Sequence, residues 1–188
     1  MKNYSFYLLA FAIACCYLTS CKEEKDDHKE RWMIANQKAF DAIKSNSEYK
    51  ELRSLGNEGS IYYKVLKAGD GTEPIYFTST VGCYYKGWYI ANYPEYNITS
   101  GDKFDQQLFD DGPAVYFALT STSASGSIIS GWKTALQYMV KGDKWEIWIP
   151  YQLGYGRNDF KASSAAPPVP GYSTLVFEIE VTNVAGVY

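Results

Sequence analysis

Alternation with a period of two runs through the second half of the chain. In residues 173–184, STLVFEIEVTNV, Leu175, Phe177, Ile179 and Val181 share one side while Glu178, Glu180 and Thr182 share the other. That is the pattern of an antiparallel strand with one buried face. DKWEIWIP at 143–150 repeats it, with Trp145, Ile147 and Ile149 together, and AVYFALT at 114–120 adds a shorter strand. Upstream, SIYYKVLKAGDG at 60–71 reads as a strand entering a Gly-Asp-Gly turn, and TSTVGCYYKGWYI at 78–90 as another. The period changes once in this region. Trp132, Ala135, Leu136 and Met139 fall at i, i+3, i+4 and i+7, predicting a short amphipathic helix closed by Lys141-Gly142. One helix and several antiparallel strands make an α+β domain in which the helix covers one sheet face.

A second helical period precedes the strands, from Arg31 to about Leu55. Met33, Phe40 and Ile43 recur at spacings of seven and three with Ala39 and Ala42 alongside, and Gly56-Asn57-Glu58-Gly59 stops the run. Packing against its own domain is the expectation; a spacer or a dimerisation helix are the alternatives. The 188 residues suffice for one domain and an appendage. The expected boundaries are a helical extension at 31–58 and the β-rich domain at 59–188.

The first thirty residues have a different logic. Lys2, an apolar run YLLAFAIACCYL at 7–18 and then Leu18-Thr19-Ser20-Cys21 form a segment too short, and too soon followed by charge, for a convincing membrane span. The segment resembles a bacterial lipoprotein signal peptide at 1–20, with cleavage before Cys21 and a lipid on its thiol; an uncleaved anchor is the other reading. Either places the domain in the cell envelope, anchored to a membrane, and the first implies an outer-membrane protein facing the periplasm or the exterior. KEEKDDHKE at 22–30 reads as a charged tether. Its acidic residues also resemble the surface-export signals of Bacteroidetes lipoproteins. Cleavage would remove Cys15 and Cys16, leaving Cys83 as the sole free thiol, so the exported domain would rely on its core rather than on disulfides. Cys83, in an apolar strand pattern, reads as a small buried hydrophobe.

Charge and composition mostly exclude. A formal net charge of −3 with no later basic run argues against nucleic acid as a partner. The single histidine, His28, lies in the tether, so Ser-His-Asp and Cys-His catalysis lack a base and a zinc site lacks its usual ligands. No phosphate-cradling glycine motif is present. Asp110 and Asp111 are neighbouring loop aspartates, more typical of a turn than of a glycosidase pair. No cofactor or metal is implied. The 18 tyrosines, within an aromatic content of 17%, suit either a pocket or a β-rich core. A reaction that needs neither proton transfer nor metal fits this inventory, and rotation about an Xaa–Pro bond is one.

YYKG at 84–87, DKFD at 102–105, IISGW at 128–132, LQYMVKGDKWEIWIP at 136–150, LGYG at 153–156 and TLVFEIEV at 174–181 occur in the order of one family. Over roughly residues 60–184 the chain resembles FKBP-type peptidyl-prolyl cis/trans isomerases. The resemblance implies a strongly bent antiparallel sheet wrapped around one short helix, with proline-containing polypeptides bound between them. By motif, Tyr85, Phe104 and Asp105 would line the pocket and Ile128 and Ile129 would form a wall. The Ile129 N–H would hold a substrate carbonyl, Trp132 would be the floor, Tyr155 would donate its hydroxyl and Phe177 would close the back. Phe117 and Val169 would complete the substrate-binding surface. Three departures stand out: insertions at 88–101 and 157–172, and no arginine in QQLFDDG to pair with Asp105. A non-catalytic FKBP-like chaperone or binding module of the envelope is the alternative the insertions leave open.

Overall fold

The computed structural model describes residues 27–91, 102–121, 128–161 and 168–186. The chain divides into two compact units, residues 1–34 and 35–188; of the first, residues 27–34 are described and are helical. The helix to which they belong, α1, covers residues 27–44. Among the described residues seven strands follow: β1 (Lys50–Arg53), β2 (Ser60–Lys67), β3 (Thr80–Tyr89), β4 (Asp102–Gln107), β5 (Val115–Ala118), β6 (Lys144–Ile149) and β7 (Leu175–Ala185). The helix α2 (Ser130–Leu136) lies between β5 and β6. The sheet order is β1-β2-β6-β7-β3-β4, with β5 also on β3, and every pairing is antiparallel.

The helix expected to run to about Leu55 ends at Lys44, and Lys50–Arg53 is a strand. Asn46 explains the stop. Its side-chain oxygen accepts the Glu48 N–H at 3.0 Å and its carbonyl accepts the Tyr49 N–H at 3.1 Å, a local turn that competes with helix. β1 then pairs with β2 from Lys50↔Tyr63 to Arg53↔Ser60. Gly56–Gly59 is therefore the bend of a hairpin rather than a helix stop, with Asn57 at φ 55° and Gly59 at φ 145°.

The two faces of the sheet have different covers. On one, α2 buries Trp132, Ala135 and Leu136. On the other, Ala39, Phe40 and Ile43 of α1 pack with Trp88, Ile90, Trp148 and Val176, and Tyr49 and Tyr62 border the cluster. Register places Tyr62, Trp148, Val176 and Trp88 in one row across β2, β6, β7 and β3. Val176, on the charged side of β7 by alternation, is buried because α1 covers that end of the strand. The ties are polar as well. The Asn36 amide donates to the Ile90 carbonyl at 3.2 Å and accepts the Thr174 N–H at 2.8 Å, while the Thr174 hydroxyl donates to the Asn36 carbonyl at 3.0 Å.

Candidate active site

Cross-strand rows assemble the other face. Tyr63, Ile147, Phe177, Gly87 and Asp105 occupy successive register positions on β2, β6, β7, β3 and β4, so Phe177 and Asp105 flank Gly87. A Cβ on Gly87 would lie 2.5 Å from Phe177 Cε1 and 3.0 Å from Phe104 Cζ, and only glycine leaves both rings their places. Those rings meet edge to face, centroids 5.5 Å apart and planes at 86°. Phe104 reaches this position through a β-bulge: Gly87 pairs with Asp105 and Trp88 with Lys103, which leaves Phe104 as the extra residue on β4. Strict alternation would send Phe104 and Asp105 to opposite faces; the bulge brings both to the site.

Trp132 is the hub. Its ring centroid lies 5.2 Å from Phe177, 5.2 Å from Tyr85 and 5.3 Å from Phe117, all edge to face. Phe117 also meets Tyr85 at 5.9 Å, which places its ring in the same cluster. Such edge-on contacts bring the positive rim of one ring to the negative face of the next, worth about 0.5–1.5 kcal/mol each beyond burial. Trp132 and Phe177 are 3% exposed and Phe104 is 6% exposed, an aromatic floor shielded from water. Tyr85, Asp105, Ile128, Ile129 and Tyr155 keep partial exposure and border it. Ile129 is the N-cap of α2, its carbonyl accepting the Trp132 and Lys133 N–H groups at 3.0 and 3.2 Å. The wall and the floor are thus set by one helix turn.

Polar groups are few and neutral, apart from Asp105. The Tyr85 hydroxyl donates to Asp105 Oδ2 at 3.0 Å, which gives the carboxylate a partner within the site. Burial, then the Asp105 charge, then this hydrogen bond push the Tyr85 phenol well above its ordinary pKa of 10.0. Burial and then the Asp105 charge do the same to Tyr155. Both therefore stay protonated donors at neutral pH. Among the described residues, neither the Tyr155 hydroxyl nor the Ile129 N–H has an intramolecular partner. Two donors of this kind are what a bound peptide's carbonyls require.

Val169, expected on the substrate-binding surface, is 1% exposed with its side chain in the core, and its backbone exchanges hydrogen bonds with Phe160 at 2.8 and 2.9 Å. Phe160 in turn stacks on Tyr155, centroids 3.8 Å apart and planes at 7°. Neither Phe160 nor Tyr89, which stacks on Phe104 at 6.3 Å, was singled out from the sequence. The Tyr85-Gly87-Tyr89 alternation was a signal for the second; nothing local marks the first. Cys21, residues 92–101 and residues 162–167 lie outside the described residues.

The family model for FKBP-type peptidyl-prolyl cis-trans isomerase matches residues 71–182, a span containing every ring of the site. The chain belongs to the FKBP family. An FKBP-type 22 kDa peptidyl-prolyl cis-trans isomerase of Escherichia coli K12 is 27% identical over 156 residues, covering 83% of this chain and 64% of that protein. An FK506-binding protein of Neisseria meningitidis serogroup A is 31% identical over 126 residues, 67% of this chain and 97% of the relative. The chain spans less than two thirds of the E. coli relative and 55% of a mouse FKBP-type relative. Among solved structures, a peptidyl-prolyl cis-trans isomerase from Pseudomonas syringae pv. tomato superposes with TM-score 0.59 at 27% identity, covering 84% of this chain and 96% of that one. FkpA from E. coli shares the fold, with TM-score 0.61 at 23% identity over 98% of this chain and 73% of its own. The α+β expectation, an antiparallel sheet with a short helix, agrees with these FKBP folds.

Proposed function

We propose that this FKBP-family chain accelerates cis/trans exchange about Xaa–Pro bonds in exported polypeptides, from a lipid-anchored position in the cell envelope. The observation that carries the reading is the shielded floor of Trp132, Phe177 and Phe104 bordered by two neutral donors, Tyr155 Oη and Ile129 N–H, that have no partner among the described residues. Peptide-bond rotation is opposed by about 18–20 kcal/mol of lost amide resonance. The planar amide is strongly dipolar and well hydrated; the twisted one is less so. Moving the bond from water onto an aromatic floor therefore costs the planar ground state more than the transition state. The Tyr155 hydroxyl and the Ile129 N–H hold the flanking carbonyls, fixing the chain on either side while the bond turns. No proton moves, which suits a site whose phenols burial keeps neutral.

The test is NMR exchange spectroscopy on a proline peptide with the full chain in detergent. Faster exchange is expected, reduced about three- to tenfold in Tyr155→Phe, the usual worth of one hydrogen bond. Folded protein that leaves the exchange rate untouched would remove the reading in favour of a binding module. The envelope placement is supported by the Leu18-Thr19-Ser20-Cys21 segment behind its apolar run and by the charged tether at 22–30. Metabolic labelling with palmitate is expected to mark the chain and to be lost in Cys21→Ala but not in a Cys15→Ala/Cys16→Ala variant.

A further inference from the structure

We infer that Phe160 is a positioning residue for the reaction: its ring, lying flat on Tyr155, fixes where the Tyr155 hydroxyl meets the substrate carbonyl. The inference rests on the isomerase reading of the site. A phenol hydroxyl sits at the far end of two side-chain torsions, so a small swing of the ring carries it out of hydrogen-bond range. Tyr155 is restrained from two directions. Phe104 meets it edge-on at 5.9 Å and 78°, and Phe160 covers a face at 3.8 Å and 7°.

A loop residue can act as a clamp only if it is itself held, and Phe160 is. Its N–H donates to the Val169 carbonyl at 2.9 Å and its carbonyl accepts the Val169 N–H at 2.8 Å. Beside this bridge, Asp159 Oδ1 accepts the Gly171 N–H at 2.9 Å, and Gly156 O accepts the Tyr172 N–H at 2.9 Å. The strands of this neck approach so closely that a Cβ on Gly171 would lie 2.2 Å from the Arg157 carbonyl oxygen. Val169, fully buried, anchors the far side. The described residues of the 157–172 insertion thus deliver one aromatic side chain onto the hydroxyl donor from a neck closed by three backbone hydrogen bonds and one to the Asp159 carboxylate. That gives the added residues at the neck a catalytic purpose.

A double-mutant cycle tests this in the full chain, by exchange spectroscopy on a proline peptide with Phe160→Leu, Tyr155→Phe and both together. Phe160→Leu keeps apolar bulk at the neck but removes the flat face. It is expected to lower the exchange rate about three- to tenfold, since misplacing one donor forfeits up to its whole contribution. In the Tyr155→Phe background the same change is expected to cost little, and Phe160→Trp, which keeps a flat ring, to restore most of the rate. The Tyr155 ring protons should be shifted upfield by the Phe160 ring current in the wild type and move downfield in Phe160→Leu. Equal losses in both backgrounds, or a normal rate with the Tyr155 shift abolished, would overturn the positioning role. Normal exchange in Tyr155→Phe itself is a separate outcome, which strikes the assignment of Tyr155 and not only of its clamp.

Discussion

Cys83 lies fully buried in β3, and burial pushes its thiol up to about 12 from an ordinary 9.0. Tyr85 and Tyr155 are likewise raised above 10.0, first by burial and then by Asp105. All three are acids whose neutral form the fold favours. The sign follows from proton counting. As pH rises past 9 the unfolded chain loses the thiol proton while the folded chain keeps it, so the native state binds more protons and stability falls. The phenols add to the decline above 10. Each group contributes a slope approaching about 1.4 kcal/mol per pH unit once its unfolded form is ionised. Stability from urea unfolding is expected to show almost no slope from these groups below about pH 8, and Cys83→Ala to lose the part of the decline that sets in around pH 9. Equal slopes for wild type and Cys83→Ala in that part would mean the folded thiol ionises as readily as the unfolded one. The sequence pattern already marked Cys83 as a core residue, since it shares the apolar stretch of β3. It also marked Trp132, Tyr85 and Phe177, which sit in motifs whose order is family-specific. Phe160 escaped because its role depends on Val169, nine positions away across an insertion, and no local periodicity encodes that pairing.

The elements show where pattern reading succeeds and where it stops. β7 and β6 were legible because one face of each is apolar without interruption, Leu175, Phe177, Ile179 and Val181 in β7 and Trp145, Ile147 and Ile149 in β6, even though Val176 and Trp148 break the polar positions between them. β1 was not. Four residues, Lys-Glu-Leu-Arg, carry no strand signature and have good helix propensity, so they read as the tail of the preceding helix. Pairing with β2 decides their state, and that partner is visible only in three dimensions. The bulge in β4 is a subtler case. Phe104 and Asp105 were both assigned to the site by resemblance, although adjacent strand residues belong on opposite faces. That contradiction was itself a sign of a bulge, and the Gly87↔Asp105 and Trp88↔Lys103 pairs place it.

For the whole molecule, the feature that changes most between sequence and structure is the second covered face. The row Tyr62, Trp148, Val176 and Trp88 is apolar on the side away from the aromatic floor, and such two-sided strands mean burial on both faces. Residues of α1 supply the cover, and Asn36 ties it to the chain just beyond β3 and just before β7. Asn36 is 1% exposed, so Asn36→Ala leaves the Ile90 carbonyl and the Thr174 N–H without their partner in a place water barely reaches. Orphaning buried polar groups costs about 1–3 kcal/mol each, and a drop of about 2–4 kcal/mol in urea unfolding is expected. Asn36→Asp is expected to be no milder substitute, because the second oxygen would then face the Ile90 carbonyl. The effect on catalysis should be small. Phe177 and Gly87 are held opposite each other by a ladder running from Thr80↔Ala185 to Tyr89↔Leu175, which does not pass through Asn36. Exchange rates per folded molecule in Asn36→Ala are therefore expected to stay within about twofold of wild type, as for independent sites whose effects add. A tenfold loss in fully folded Asn36→Ala would show instead that the cover on one face of the sheet sets the geometry of the aromatic floor on the other.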